Sequence, residues 1–143
     1  VNIVADEFPL KRYFSLSYSG FAQNTDGYLT VFKAPFAGYY TAATFMSNGD
    51  ITGHATVRRD LKLYRGSPTG SLGNNGLQIQ FLAGVNAESQ KEIAFSEVNA
   101  DLHRYMNEGD YCHLHSDAVG GGVADPGGLI IVELTRDLGE APE

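Results

Sequence analysis

The amino-acid sequence predicts an all-β domain, an antiparallel jelly-roll sandwich, on three observations. Several short segments alternate apolar and polar residues with a period of two, which marks half-buried strands. Turn residues separate these segments at short spacing, as in sandwiches and jelly rolls. The composition agrees, because 17 glycines and 5 prolines supply turns while 8 tyrosines and 8 phenylalanines favour strands.

Taken in order, residues 1–12 read as an N-terminal arm. Its apolar residues Val1, Ile3, Val4, Phe8 and Leu10 fit no regular period, because Asp6, Glu7 and Pro9 interrupt them. Two readings stay open: a terminus with little order, or a segment that orders against a partner through those five residues. The sandwich is expected over residues 13–136, and 137–143 form an acidic, solvated tail.

Within the sandwich, Phe14, Leu16 and Tyr18 alternate with serines, which makes the first strand. After a polar loop, Tyr28 to Lys33 form the second, with Leu29 and Val31 on one face. Pro35 and Gly38 punctuate a turn, since proline donates nothing to a ladder and glycine permits positive φ. Gly38 to Met46 form the third strand, and Ala55 to Arg65 another with Leu61 and Leu63 inward. Gly66 to Gly76 read as a long loop before the alternating strand Leu77, Ile79 and Phe81. Residues 87–106 suit a helix by propensity and strands by Ile93, Phe95 and the following turn; strands are the preferred reading. Leu129 to Leu134 are apolar on both faces except at Glu133, which suggests a central strand or a subunit interface.

The third strand has more apolar surface than one core face can use. Tyr39, Thr41, Ala43 and Phe45 are expected on one side and Tyr40, Ala42 and Met46 on the other. Self-association would remove the surplus from water, and a closed ring of identical contacts avoids open polymerisation. Tyr39, Thr41 and Phe45, with Tyr111 and His113, are therefore the expected trimer interface, while Cys112 and Leu114 are expected in the core.

Chemistry is sparse. The formal net charge of −7 argues against nucleic acid as a partner, and Lys11-Arg12 and Arg58-Arg59 read as solvated pairs. No apolar run approaches the roughly 18–20 residues that cross a bilayer, so no membrane partner is expected. Cys112 is the one cysteine, so no intrachain disulfide forms. His113 and His115 share a strand face, the spacing of a metal-binding pair, but only Ser116, Asp117 and Ala118 come next and no histidine follows, so the cupin pattern is incomplete and two surface or interface histidines are the preferred reading. Asn24-Thr25-Asp26 and Asn48-Gly49-Asp50 read as Asx turns, and Gly120-Gly121-Gly122 as a flexible loop. No Gly-x-Ser-x-Gly elbow is present, and neither catalytic residues, a metal nor a cofactor is expected.

Three segments carry a resemblance. Phe32, Ala34, Pro35, Gly38 and Tyr40 match a Phe-x-Ala-Pro-x-x-Gly-x-Tyr pattern; Leu61 to Gly66 follow; and Leu102 to Tyr111 end in a Gly109-Asp110 turn. Over roughly residues 14–136 the chain resembles the C1q/TNF-like jelly rolls, which implies a homotrimer that binds or fastens something. With no collagen-like stalk or membrane anchor read in it, an acidic trimer of this kind is similar to phage decoration (cement) proteins. That similarity implies a non-enzymatic role on the virion surface, with the major capsid protein as partner. The alternative is an extracellular recognition head that binds a glycan or a host protein.

Overall fold

The computed structural model describes residues 10–70, 72–84, 92–99 and 101–138. Among them ten strands follow in order: β1 (Lys11–Tyr18), β2 (Gly27–Lys33), β3 (Gly38–Ser47), β4 (Arg58–Gly66), β5 (Leu72–Gln80), β6 (Glu92–Ala94), β7 (Ser96–Glu97), β8 (Tyr105–Met106), β9 (Tyr111–Val119) and β10 (Gly128–Arg136). A 3₁₀ turn, Asp101–Arg104, leads into β8. The protein is an all-β sandwich of two antiparallel sheets. The first sheet has the order β1-β10-β3-β6, with β8 also on β3; the second has the order β2-β9-β4-β5-β7. The pairings nest: first strand with last, second with second to last, β3 with β6 and β8, and β4 with β5.

Alternation places the core. Tyr40, Phe45, Ile130, Val132 and Leu134 from the first sheet meet Leu61, Leu63, Cys112 and Leu114 from the second, all fully buried. Phe14 stacks on Phe32 at 4.1 Å and joins the edge strands of the two sheets. Burial pushes the Cys112 thiol far up, so it stays protonated and inert. β10 lies between β1 and β3, with Ile130, Val132 and Leu134 facing the core and Leu129 and Ile131 facing outward.

Two of the motif turns hold each other. The Ala34 N–H donates to the Asp110 carbonyl at 2.7 Å, and the Gly109 N–H donates to the Ala34 carbonyl at 2.9 Å. Gly109 has φ of 90°, a left-handed conformation that disfavours side chains, and the Asp110 carboxylate caps the turn by accepting the Asn107 N–H. Gly38 lacks a positive φ; it is needed because a Cβ there would collide with the Thr135 carbonyl.

Bulges correct the simple alternation. The β3–β10 register shifts between Glu133 and Leu134, so Thr41 and Ala42 both lie on the outer side. Tyr40, Ala43 and Phe45 therefore turn inward, and Phe45 is a core residue rather than a seam residue. A second bulge in β2 brings Phe32 inward opposite Cys112 beside Leu29, with Val31 as the extra residue. β1 already pairs with Thr135 at Lys11, two residues before the expected start of the sandwich. Of the stretch 66–76 expected as a loop, Gly66 closes β4, 67–70 form the turn, and 72–76 belong to β5, because their backbone bonds to β4 need no apolar side chains. In 87–106 the described residues are short strands and one 3₁₀ turn, with residues 87–91 and 100 outside the description.

The largest departure is Arg59, expected in solvent and found fully buried. It shares the inward face of β4 with Leu61 and Leu63, while Arg58 turns outward and pairs with Asp60 at 2.7 Å. The Arg59 guanidinium donates to the carbonyls of Thr25 at 2.7 Å, Ala22 at 3.1 Å, Val123 at 2.7 Å and Ser116 at 3.4 Å. It also donates to the Ser116 hydroxyl at 3.3 Å, which in turn donates a hydrogen bond to Asp125 at 2.6 Å. Asp125 accepts further bonds from the Tyr18 hydroxyl at 3.0 Å and the Gly127 N–H at 2.8 Å. The positive and negative charges thus compensate through one hydroxyl, and the carbonyls complete the solvation of the guanidinium.

Replacing Arg59 by Ala leaves these carbonyls buried without donors. We expect R59A to lose about 3 kcal/mol or more and to lower Tm by roughly 10 °C. Arg12→Ala, at an exposed position of β1, should shift Tm only slightly. Thermal unfolding of the two variants followed by circular dichroism checks the contrast; equal shifts would contradict the assigned burial.

Candidate functional site

The two outer faces of the sandwich differ in chemistry. On the first sheet, Tyr13 projects from β1, Leu129 and Ile131 from β10, and Tyr39, Ala42, Thr44 and Met46 from β3. Tyr13 is 65% exposed, Tyr39 37% and Met46 36%, so these large side chains meet water in the single chain. Tyr13, Ala42, Thr44, Ile131 and Glu133 line a shallow depression at the centre of the face.

Two carboxylates lie on this face: Glu92 is exposed on β6 opposite Met46, and Glu133, nearer its centre, is neutralised from within. Its Oε1 accepts the Thr41 hydroxyl at 2.6 Å, and its Oε2 accepts the Tyr13 hydroxyl at 2.9 Å, with the Lys11 ammonium at 3.7 Å. The Thr41 hydrogen bond holds the carboxyl below the usual glutamate range, helped by Tyr13 and Lys11 against a modest desolvation. The bulge at Thr41 is what brings that hydroxyl over Glu133.

The outer face of the second sheet is polar and aromatic. Tyr28, Thr30, Lys62, Tyr64, Tyr111, His113, His115 and Asp117 occupy it on β2, β9 and β4. His115 stacks on Tyr28 at 4.2 Å, and Tyr111 stacks against His113 at 6.0 Å. His113 Nδ1 lies 3.0 Å from the Thr30 hydroxyl, and burial lowers its pKa, so this ring is neutral at pH 7.

The five residues expected at a trimer interface are thus separated. Tyr39 and Thr41 share the outer face of the first sheet, Phe45 is in the core, and Tyr111 and His113 lie on the opposite layer of the sandwich. The reason is that β3 and β9 belong to different sheets, whose outer faces point away from each other. Of the expected partner contacts, Val1, Ile3, Val4 and Phe8 lie outside the described residues, while Leu10 is exposed just ahead of β1 and its carbonyl accepts the Arg136 N–H at 2.7 Å. The tail from 139 onward also lies outside them; Asp137 and Leu138 are exposed.

Sequence reasoning missed Arg59 and the cluster of Asp26, His115 and Asp117. Arg59 had a usable signal, since it stands two and four positions before the inward Leu61 and Leu63. His115 and Asp117 likewise share one face by their spacing. Asp26 had no local signal, because only the pairing of β2 with β9 brings it there. Among the described residues no helix is long and apolar enough to cross a membrane. No protein-family model matches the chain, and neither a curated protein nor a solved structure matches it.

Thr41→Val keeps the shape of the bulge and removes the hydroxyl donor. The Glu133 carboxyl should then titrate at higher pH, toward its ordinary range. A carboxylate with a depressed native pKa stabilises the fold above its unfolded pKa and loses that contribution as pH falls through the native value. T41V should therefore be less stable than the wild type at neutral pH and lose less stability on acidification, because only the wild type goes on losing it down to the lower native value. Carboxyl NMR titration of Glu133 in both proteins checks it; an unchanged midpoint would remove Thr41 as the cause.

Proposed function

We propose that this chain is a non-enzymatic structural protein: a jelly roll that assembles as a homotrimer through the outer face of its first sheet and decorates a phage capsid. The observation that carries the reading is that face, with Tyr13, Tyr39, Ala42, Met46, Leu129 and Ile131 presented together and the Glu133 carboxylate at its centre already satisfied by Thr41 and Tyr13. Covering such a face removes apolar area from water at about 25 cal/mol per Å². Glu133 keeps its partners when water leaves, while Glu92 stands exposed beside Met46 at the β6 edge of the face.

The nested pairing of strands supports the jelly-roll part of the reading. A long hairpin that rolls up pairs its first strand with its last and its second with its second to last, and these pairs alternate between sheets. The mutual bonding of the Ala34 and Gly109-Asp110 turns gives the motifs of the C1q/TNF-like resemblance a structural purpose. In this reading three linked contacts add avidity on a repeating shell, and a ligand that binds only the assembled capsid stabilises it by mass action. The expected partner is the major capsid protein.

A second reading has its own observation. Tyr28 is 60% exposed and stacked on His115 beside Tyr64, an aromatic platform with adjacent carboxylates, which suits a recognition head for a glycan. Native mass spectrometry tests both, with the chain alone and with candidate coat proteins or glycans. We expect a trimer at micromolar concentration that Ile131→Asp converts to monomer without loss of the β-sheet spectrum. A monomeric wild type would overturn the assembly, and a trimer that takes up glycan but no coat protein would favour the recognition head.

A further inference from the structure

At one end of the second sheet, Asp26, His115 and Asp117 each present a ligand atom within 4.8 Å of the others. His115 and Asp117 come from β9 with one residue between them, and Asp26 is the last residue before β2, which pairs beside them. One oxygen of each carboxylate is engaged. Asp26 Oδ1 accepts the Ala118 N–H at 2.8 Å, which holds its pKa low, and Asp117 Oδ2 accepts the Lys62 ammonium at 2.9 Å. The second oxygen of Asp26, Oδ2, faces the His115 ring.

The imidazole supplies the independent observation. His115 is only 8% exposed, wedged between Tyr28 at 4.2 Å and Tyr64 at 6.1 Å. Its Nδ1 has no hydrogen-bond partner, and its Nε2 reaches only Asp26 Oδ2, at 3.5 Å. That distance is too long for a good hydrogen bond. A ring this buried with Nδ1 unpartnered and Nε2 held only by one long contact is rare in folded proteins and points to a missing ligand. We infer that Asp26, His115 and Asp117 form a binding site for a divalent transition-metal ion of the zinc type.

The donor chemistry selects the ion. Calcium and magnesium favour all-oxygen sets, whereas one imidazole with two carboxylates suits zinc and its neighbours. Zinc bonds of about 2.0–2.2 Å place tetrahedral ligands roughly 3.4 Å apart, so donors within 4.8 Å need to close by no more than about 1.4 Å. Water or a partner's side chain completes the fourth position. Lys62 competes as the resident cation on Asp117, so it sets the affinity. An ion here would fasten the β1–β2 loop, already held by Arg59 through Thr25 and Ala22, onto β9.

The test is calorimetric titration of the metal-stripped full chain with zinc chloride, with thermal unfolding in parallel. We expect one zinc per chain and a raised Tm. Asp117→Asn and His115→Gln should each weaken binding at least tenfold, while His113→Gln leaves it unchanged. Lys62→Met should tighten it. Because His115→Gln alters a buried position, Asp117→Asn on the half-exposed rim carries the result if the former fails to fold. Absence of saturable binding up to millimolar zinc in the wild type and in Lys62→Met, or binding that survives Asp117→Asn, would overturn the site.

Discussion

A guanidinium cannot leave water unless oxygens replace its hydration shell, and in this protein the loops at one end of the sandwich supply them. Arg59 is held by carbonyls from the β1–β2 loop (Ala22 and Thr25), from the β9–β10 loop (Val123) and from β9 itself (Ser116). Removing any of these segments would leave a buried charge, so the loops must close together with the sheets. Asp125 anchors the same end from the other side, through Ser116 and Tyr18, and its backbone pairs with Phe21 in both directions. The core alone would tolerate several relative placements of two sheets. A buried charge with directional partners tolerates few, which fixes the β1–β2 loop against β9.

Two properties of the surface depend on that placement. Asp26 follows directly on the clamped Thr25, and so it reaches His115 and Asp117 rather than swinging into solvent. With β2 held on β9, the polar and aromatic groups gather on the second sheet. The first sheet is left with a largely apolar exterior whose central carboxylate, Glu133, is bonded internally. The sandwich therefore has one face suited to being covered and another suited to staying wet. That asymmetry underlies the proposal that copies of the chain associate through the first sheet.

Much of the fold was legible because strand patterns and turn residues act locally. Phe14, Leu16 and Tyr18 alternate without interruption and face inward as expected, as do Cys112 and Leu114. The failures have physical causes. A bulge adds one residue without any mark in the apolar pattern, so Phe45 moved from the expected seam to the core. The glycines and asparagines that begin β5 carry no strand preference, yet their backbones pair with β4. Arg59 was misread because charge outweighed period in the reading, although its place on β4 beside Leu61 and Leu63 argued for the interior. The grouping of Asp26 with His115 and Asp117 depends on long-range pairing, which no local pattern carries.

The two methionines allow the apolar face to be probed directly. Met106 is fully buried within the single chain and serves as an internal standard, while Met46 stands 36% exposed on the outer face of β3. Peroxide converts an accessible methionine to its sulfoxide, and peptide mass spectrometry reads each site separately. If copies of the chain cover the first-sheet face, Met46 should oxidise slowly at high protein concentration and faster on dilution, with Met106 slow throughout. A Met46 rate close to that of free methionine at every concentration would contradict the account.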